Sequence, residues 1–320
     1  MRASEADEER RELGRQVFQR YCAECHGATG DGYGLRQDIS YARPRSFQSA
    51  RFKLATTDNG VPSDQDLIRT ISRGMPGSGM PNWSHLSAAE LAAVAEHVRA
   101  IGVEAMRAGL ERGVTEGRLG RDEADRILAA RTTPGRAVEV PAEPAVSEAD
   151  LRRGRELYLE ACAACHGERG ATPFGILTTD FDGNRLPPTS LRHGVFKGGA
   201  ESEQIYVRIL EGMDGTAMPG YEGVYGPEDL WRLVHYVQSL SAPGGSPVDP
   251  PEADAEPATA TTAAGSGSEA TSTAPWAASE MAAMPGDDAP RGGRWLVLLV
   301  ALAAIGLAGL LLALGLGSAR

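Results

Sequence analysis

Aromatic side chains make up only 6% of this 320-residue chain, and lysine is nearly absent: 30 of the 32 basic residues are arginine, leaving Lys53 and Lys197. So little aromatic surface, beside 39 glycines and 20 prolines, is thin material for one large core, which points to small domains with something other than side chains at their centres. Positive charge is in deficit, with a formal net charge of −11, and this argues against nucleic acid as a partner. Cysteine is limited to four residues in two close pairs, Cys22 with Cys25 and Cys162 with Cys165, so none remains for a disulfide framework or a lone nucleophile. Charge is missing altogether from Trp295 to Leu316, a stretch bracketed by Arg291, Arg294 and Arg320, which reads as one membrane-spanning helix over about 294–317.

Ahead of that span, residues 243–293 are rich in Pro, Ala, Ser, Thr and acids, and too poor in large apolar groups to offset their ordering entropy; they read as a flexible tether. Residues 102–146 form a second linker, with a charged, helix-compatible stretch from Glu104 to Arg131 and then a proline-punctuated extended run, Pro134 to Pro144. Two globular units remain, 1–101 and 147–242, and they repeat one another. Gly14, Phe18 and Cys22 match Gly154, Tyr158 and Cys162 at an offset of 140, and Gly74, Met80 and Pro81 match Gly212, Met218 and Pro219 at an offset of 138. Each unit opens on a helical pattern with glycine and aromatic on one face. A short helix precedes each methionine (about Ser63 to Arg73 and Ser202 to Glu211), and a capped amphipathic helix closes each unit, with Ser87 and Glu90 as a capping box in the first and Pro227 in the first turn of the second.

The segments Cys22-Ala-Glu-Cys25-His26 and Cys162-Ala-Ala-Cys165-His166 carry the attachment signature of c-type haem. Two thiols on one helical turn can add to the two vinyl groups of a porphyrin, and the following histidine then sits beneath the iron as its proximal ligand. A four-cysteine zinc site brings its pairs within about 15–20 residues in the ribbon pattern, whereas these pairs lie in different units. A thioredoxin-like redox pair follows a strand, and neither alternative explains the adjacent histidine twice. For the sixth ligand, Met80 and Met218 occupy equivalent places late in each unit, and thioether ligation suits electron transfer by favouring ferrous iron and filling the last open position. Met75 and Met213 also align and are rivals by spacing. Met80 and Met218 are preferred because proline follows both, and Trp83 and Tyr221 come three residues later, where an aromatic can pack at a haem edge.

With these residues in place the chain resembles the class I cytochrome c family in its tandem diheme form, over its two globular units. The resemblance implies an all-α fold of two cytochrome c domains followed by the transmembrane helix, and two covalently bound haems c. In that family the first and last helices cross through the glycine and aromatic, which pairs Gly14 and Phe18 with the helix bearing Leu91 and Val98. Where the family keeps an aromatic on the last helix, here Tyr236, the first domain has His97, expected as a packing variant. The family also implies a backbone carbonyl that orients the proximal histidine, with Pro44 and Pro188 the candidates. The matched Phe52-Lys53 and Phe196-Lys197 are suited to haem propionates or to docking, or are simply solvated. His193, in a glycine-flanked loop, is the one remaining histidine that a ligand switch would recruit. The implied activity is single-electron transfer between a protein donor and a protein acceptor, with no catalysis and no small-molecule substrate. The alternatives are a diheme enzyme of peroxidase or thiosulfate-oxidising type, which needs an open or differently ligated iron, and a dedicated subunit of a larger oxidoreductase. Haem attachment to this motif places both domains on the periplasmic side, held by the C-terminal helix. Against this, no charged and apolar leader opens the chain at Met1, and the arginines around the span mildly favour the reverse orientation.

Overall fold

Residues 5–36, 43–243 and 246–249 are described in the computed structural model, and they belong to one compact unit, Met1–Asp254. Only the first positions of the expected tether fall within them, and the span expected at 294–317 lies outside the described residues. Among the described residues no helix is long and apolar enough to cross a membrane.

The first repeat begins with α1 (Glu5–Tyr21), whose acidic first turn suits the helix dipole, and continues into the single turn α2 (Ala23–His26). A loop leads to α3 (Asp64–Arg73), then α4 (Ala88–Thr115). The second repeat follows the same order: α6 (Glu148–Ala161), α7 (Ala163–His166), α8 (Ser202–Glu211) and α9 (Pro227–Ser239). Between the repeats lies α5 (Arg121–Thr132). Capping boxes at Ser63 with Asp66, Ser87 with Glu90 and Ser147 with Asp150 fix where three of these helices start. Asp66 does more than cap. Its buried carboxylate also accepts from the Thr56 N–H at 3.0 Å and the Thr56 hydroxyl at 2.8 Å, tying the preceding loop to α3.

Two separate apolar cores form, one per repeat. In the first, α1 crosses α4, burying Phe18 and Val94 completely; in the second, α6 crosses α9 around Tyr158 and Tyr236. Full burial of each such side chain contributes about 1.5–3 kcal/mol, so these crossings dominate the stability of each repeat. His97 stands in the place of Tyr236, and its ring meets Phe18 edge-on at 5.1 Å just as Tyr236 meets Tyr158 at 5.2 Å.

Three features depart from the expected outline. The helix that closes the first repeat does not stop near residue 101 but runs to Thr115. A turn through Gly117, at φ +69°, then returns α5 against it. The extended run that follows lies along the first repeat instead of standing free: Val138 N–H donates to Thr56 O and Asp58 N–H to Arg136 O, each at 2.9 Å, forming a bridge at Thr57 and Ala137. The described residues are also not wholly helical, because β1 (Thr178–Thr179) and β2 (Arg185–Leu186) pair antiparallel in the second repeat. Asp180 shapes that hairpin by accepting from the backbone N–H groups of Asp182 and Asn184, with Gly183 in the left-handed region at φ +79°.

Asp150 links a cap to a helix crossing. It accepts from Ser147 in the box at the start of α6 and from Arg232 Nε of α9 at 3.0 Å, and these bonds hold its carboxyl well below the usual range, at about 2. A folded-state value below the unfolded one means stability that is present above pH 4 and is lost as pH falls toward 2. In acid titrations of unfolding, Asp150→Asn is therefore expected to be less stable than the parent at pH 5 and to converge with it near pH 2; a pH-independent gap would contradict the linkage.

Candidate functional site

Each CxxCH segment is the end of one helix and the start of a single further turn. Cys22 N–H donates to Phe18 O and Cys162 N–H to Tyr158 O, both at 2.8 Å, so the first cysteine of each pair continues the opening helix directly from its buried aromatic. His26 N–H donates to Cys22 O and His166 N–H to Cys162 O, both at 2.9 Å, closing the turn and setting both thiols and the imidazole on one side of it. Cys22 and Cys162 are partly buried and pack on their respective cores, while Cys165 is exposed. Burial pushes the Cys22 thiol up to about 12 and the Cys162 thiol up to about 11.

The two histidines are fixed alike. His26 Nδ1 lies 3.0 Å from Arg45 O and His166 Nδ1 lies 2.9 Å from Thr189 O. A carbonyl oxygen only accepts, so Nδ1 must carry the proton, and Nε2 keeps a lone pair free for a metal. Burial depresses the basicity of both rings, favouring that neutral form. The sequence pointed to Pro44 and Pro188 as the acceptors; the carbonyls belong instead to the next residue in each repeat. The proline oxygens face other ways: Pro188 O accepts from the Thr172 hydroxyl at 3.0 Å, and Pro44 O lies against Gly32. In the first repeat Phe47 stacks on the His26 ring at 4.4 Å. Leu191 takes the matching backbone position in the second, donating to Gly170 O as Phe47 does to Gly30 O.

The methionine loops are also superimposable in their bonding. Met75 N–H donates to Met80 O at 3.1 Å, and Met213 N–H to Met218 O at 3.2 Å. Inside each loop a hydroxyl, Ser78 or Thr216, donates to the first methionine's carbonyl and accepts from the second methionine's N–H. Each loop leaves its helix at a glycine in the left-handed region, Gly74 at φ +73° and Gly212 at φ +72°. The aromatic three residues after the second methionine reaches back to the cysteine segment: Trp83 packs on Tyr21 at 5.3 Å, and the Tyr221 hydroxyl donates to Ala161 O at 3.0 Å. Met80 and Cys22 pack against the same core, whereas Met218 and Met213 both line a cavity of about 590 Å³ bounded on its far side by Lys53, Arg51 and Phe52 of the first repeat. His193 is exposed in its loop, and His235 is buried against Glu143 at 3.0 Å.

What the sequence did not reveal is that the two repeats dock through arginines. Arg208 of α8 donates to Ala55 O at 2.9 Å in the first repeat, Arg73 of α3 pairs with Glu201 at 2.6 Å in the second, and Arg51 pairs with Asp214 at 2.9 Å. These contacts join residues more than 100 positions apart, and no local pattern announces them.

The donor set fits a haem in each repeat: a paired-thiol turn, an imidazole with a free Nε2, and a thioether loop braced against the same turn. Buried Arg45 Nη1 and Arg208 Nε have no hydrogen-bond partner among the described residues, as expected where an anionic group is to be received. Fold and site together define a tandem class I c-type cytochrome. The chain belongs to the family described as cytochrome c oxidase, cbb3-type, subunit III, whose model matches residues 9–98 and 149–237. It is 24% identical over 232 residues to the cbb3-type cytochrome c oxidase subunit CcoP of Azospirillum sp. (strain B510), an alignment covering 71% of this chain and 61% of that protein. The chain thus spans less than two thirds of the length of that curated relative. It is also similar to a chain of the Kuenenia stuttgartiensis reducing HAO-like protein complex, with 31% identity and a TM-score of 0.60, covering 72% of this chain and 96% of that one. Family membership implies haem c as the cofactor.

Proposed function

We propose that the chain carries single electrons between redox proteins through two covalently bound haems c, one on Cys22 and Cys25 and the other on Cys162 and Cys165. His26 with Met80, and His166 with Met218, are the proposed axial ligands, one pair in each repeat, the first repeat closing with α4 and the second with α9. The observation that carries this reading is the twofold recurrence of one arrangement: a CxxCH turn whose histidine donates Nδ1–H to a loop carbonyl, leaving Nε2 bare. Bound there, the haem supplies a one-electron iron couple that changes state without bond making in the protein. The chain's part is to orient the imidazole through the carbonyls of Arg45 and Thr189, to exclude water with Phe18, Tyr158 and their neighbours, and to present the thioether from a loop fixed at both ends. With both axial positions filled from the protein, oxygen and peroxide find no site, which favours a carrier over an enzyme. The names of two similar proteins, an oxidase subunit and a member of a redox complex, favour work as a subunit that hands electrons to a larger assembly. The proposed C-terminal helix at 294–317 holds the domains on the periplasmic face of the membrane.

The test is optical. Purified holoprotein is expected to contain two haems per chain, to be low-spin in both oxidation states, to show the near-infrared band of sulfur on ferric iron, and to be unchanged by carbon monoxide. A high-spin component, or carbon monoxide binding to one haem, would move the assignment to an enzyme.

A further inference from the structure

Residues 99–148 separate the two segments that the family model matches, so their packing is not part of the repeated domain. They end in an extended strap, 133–146, which Pro134, Pro141 and Pro144 stiffen. The strap is fastened first to the loop that leads into α3. Asn59 holds it with both ends of its amide: Nδ2 donates to Thr133 O and Oδ1 accepts from the Gly135 N–H, each at 2.9 Å. The Asp58 carboxylate continues the seam, accepting from the Arg136 N–H at 3.0 Å and from Arg136 Nε at 3.1 Å. The fit is close enough that a β-carbon on Gly135 would lie 2.1 Å from Asp58 Oδ1. The backbone bonds of Asp58 to Arg136 and of Val138 to Thr56 complete this attachment to the first repeat.

Two residues past Val138 the strap changes partner. Val140 packs on the core of the second repeat, and Glu143 accepts from Nε2 of His235 at 3.0 Å. The side chain of that histidine is only 7% exposed and its ring stacks on Trp231, so it offers the strap a fixed point. Extended chain advances about 3.3 Å per residue, and the step from one repeat to the other is therefore only about 7 Å long, with no slack to take up. The arginine contacts between the repeats are of another kind. Arg73 with Glu201 and Arg51 with Asp214 are reached by solvent, and such pairs are weak and are screened by salt. A tether this short keeps each repeat at a high effective concentration at the other's docking face, whatever the ionic strength.

We infer that residues 133–143 are a clasp that fixes one arrangement of the two repeats for electron passage between them, with Val138 and Glu143 as its positioning residues. The inference rests on the two-haem reading above. A clasp acts as one piece, and this separates it from a strap that merely lies on two surfaces: loosening its hold on the second repeat also loosens its hold on the first.

The experiment uses the full chain, purified as holoprotein in detergent. Glu143→Ala removes an exposed carboxylate and leaves the core residue His235 unaltered, while Val138→Pro suits extended backbone and removes only the N–H donated to Thr56 O. Haem stoichiometry is measured first, because fewer than two haems per parent chain overturns the two-haem reading and this inference with it. With two haems present, Glu143→Ala is expected to speed hydrogen exchange at the Asp58 and Val138 amides by about fivefold, the shift in opening equilibrium from one lost hydrogen bond. Glu143→Gln, which keeps an acceptor oxygen, is expected to restore protection. In about 1 M salt, where screening acts over about 3 Å, pulsed electron paramagnetic resonance of the two ferric haems is expected to give one narrow distance distribution in the parent and a broad one when both substitutions are combined. Exchange at Asp58 and Val138 that ignores Glu143 overturns the inference, and so does a distribution as narrow in the double variant as in the parent. Should the double variant fail to accumulate, the parent decides with Glu143→Ala: the fivefold change at Asp58 and Val138 supports the clasp, and parent amides at 136–138 that exchange in salt as fast as unstructured chain overturn it.

Discussion

Alanine at Met80 or at Met218 is expected to remove the sulfur-to-iron band of the haem proposed for its own repeat and to leave the other's intact, while alanine at Met75 or Met213 is expected to remove neither. Spacing alone leaves the four methionines in two equivalent pairs, but their loops do not treat them equally. The first methionine of each pair is the anchor: its N–H closes the loop on the second's carbonyl, and its own carbonyl takes the Ser78 or Thr216 hydroxyl. The second stands at the loop's end, directly before the proline and the aromatic that returns to the cysteine turn, and in the first repeat Met80 packs on the core beside Cys22. On the proposed ligation, losing a thioether that favours ferrous iron is expected to lower that haem's reduction equilibrium constant by at least about tenfold and to open the iron to carbon monoxide. The anchor variants are expected to loosen the loop without moving the band. A band lost on Met75→Ala but kept on Met80→Ala would reverse the assignment in the first repeat, and the corresponding pair tests the second independently.

Much of this site was legible because its parts are local. A CxxCH turn, a capping box at Ser87 and a Met-Pro at the end of a loop are each written within a few residues, and the repeat supplies a second copy against which to check each one. What the sequence hid depends on chain direction and on distance. A proline marks where the histidine's acceptor loop lies, yet which carbonyl turns inward is set by the packing of Gly32 and Thr172 against the proline oxygens, so the acceptor is one residue later than expected. Asp182-Gly183 is a hairpin signal in principle, but two strands of two residues are too short to leave an alternation. The helix from Ala88 runs past residue 101, and Leu119 folds back on it at Gly113, a contact no periodicity reports. The arginine docking is farther still: in an arginine-rich chain nothing distinguishes Arg73 or Arg208 from a solvated neighbour until the repeats are placed together.

Alanine at Gly154 is expected to destabilise the second repeat by about 2 kcal/mol or more, the difference between an overpacking cost near the top of the usual 1–3 kcal/mol and about 1 kcal/mol gained in helix propensity. A β-carbon there would lie 2.2 Å from Arg232 O and 2.9 Å from Tyr236 Cβ, and the first contact is backbone of α9 with no rotamer to yield. The two helices must part, unseating Tyr158 and Tyr236, which are fully buried between them. Gly14 repeats the arrangement, with Ala93 O at 2.3 Å and His97 Cβ at 3.1 Å, and Gly14→Ala is expected to act on the first repeat alike. Gly109→Ala is the control. It too is a helical glycine, in α4, but a β-carbon there meets only the flexible end of Arg112 at 3.8 Å, so the substitution should be neutral or stabilising. Urea unfolding followed at the sulfur-to-iron band of each haem reads the consequence at the site itself, because α6 runs through Cys162 into the turn that carries His166. An equal loss for all three variants would mean that something other than the close crossing at Gly14 and Gly154 governs how these cysteine turns are held.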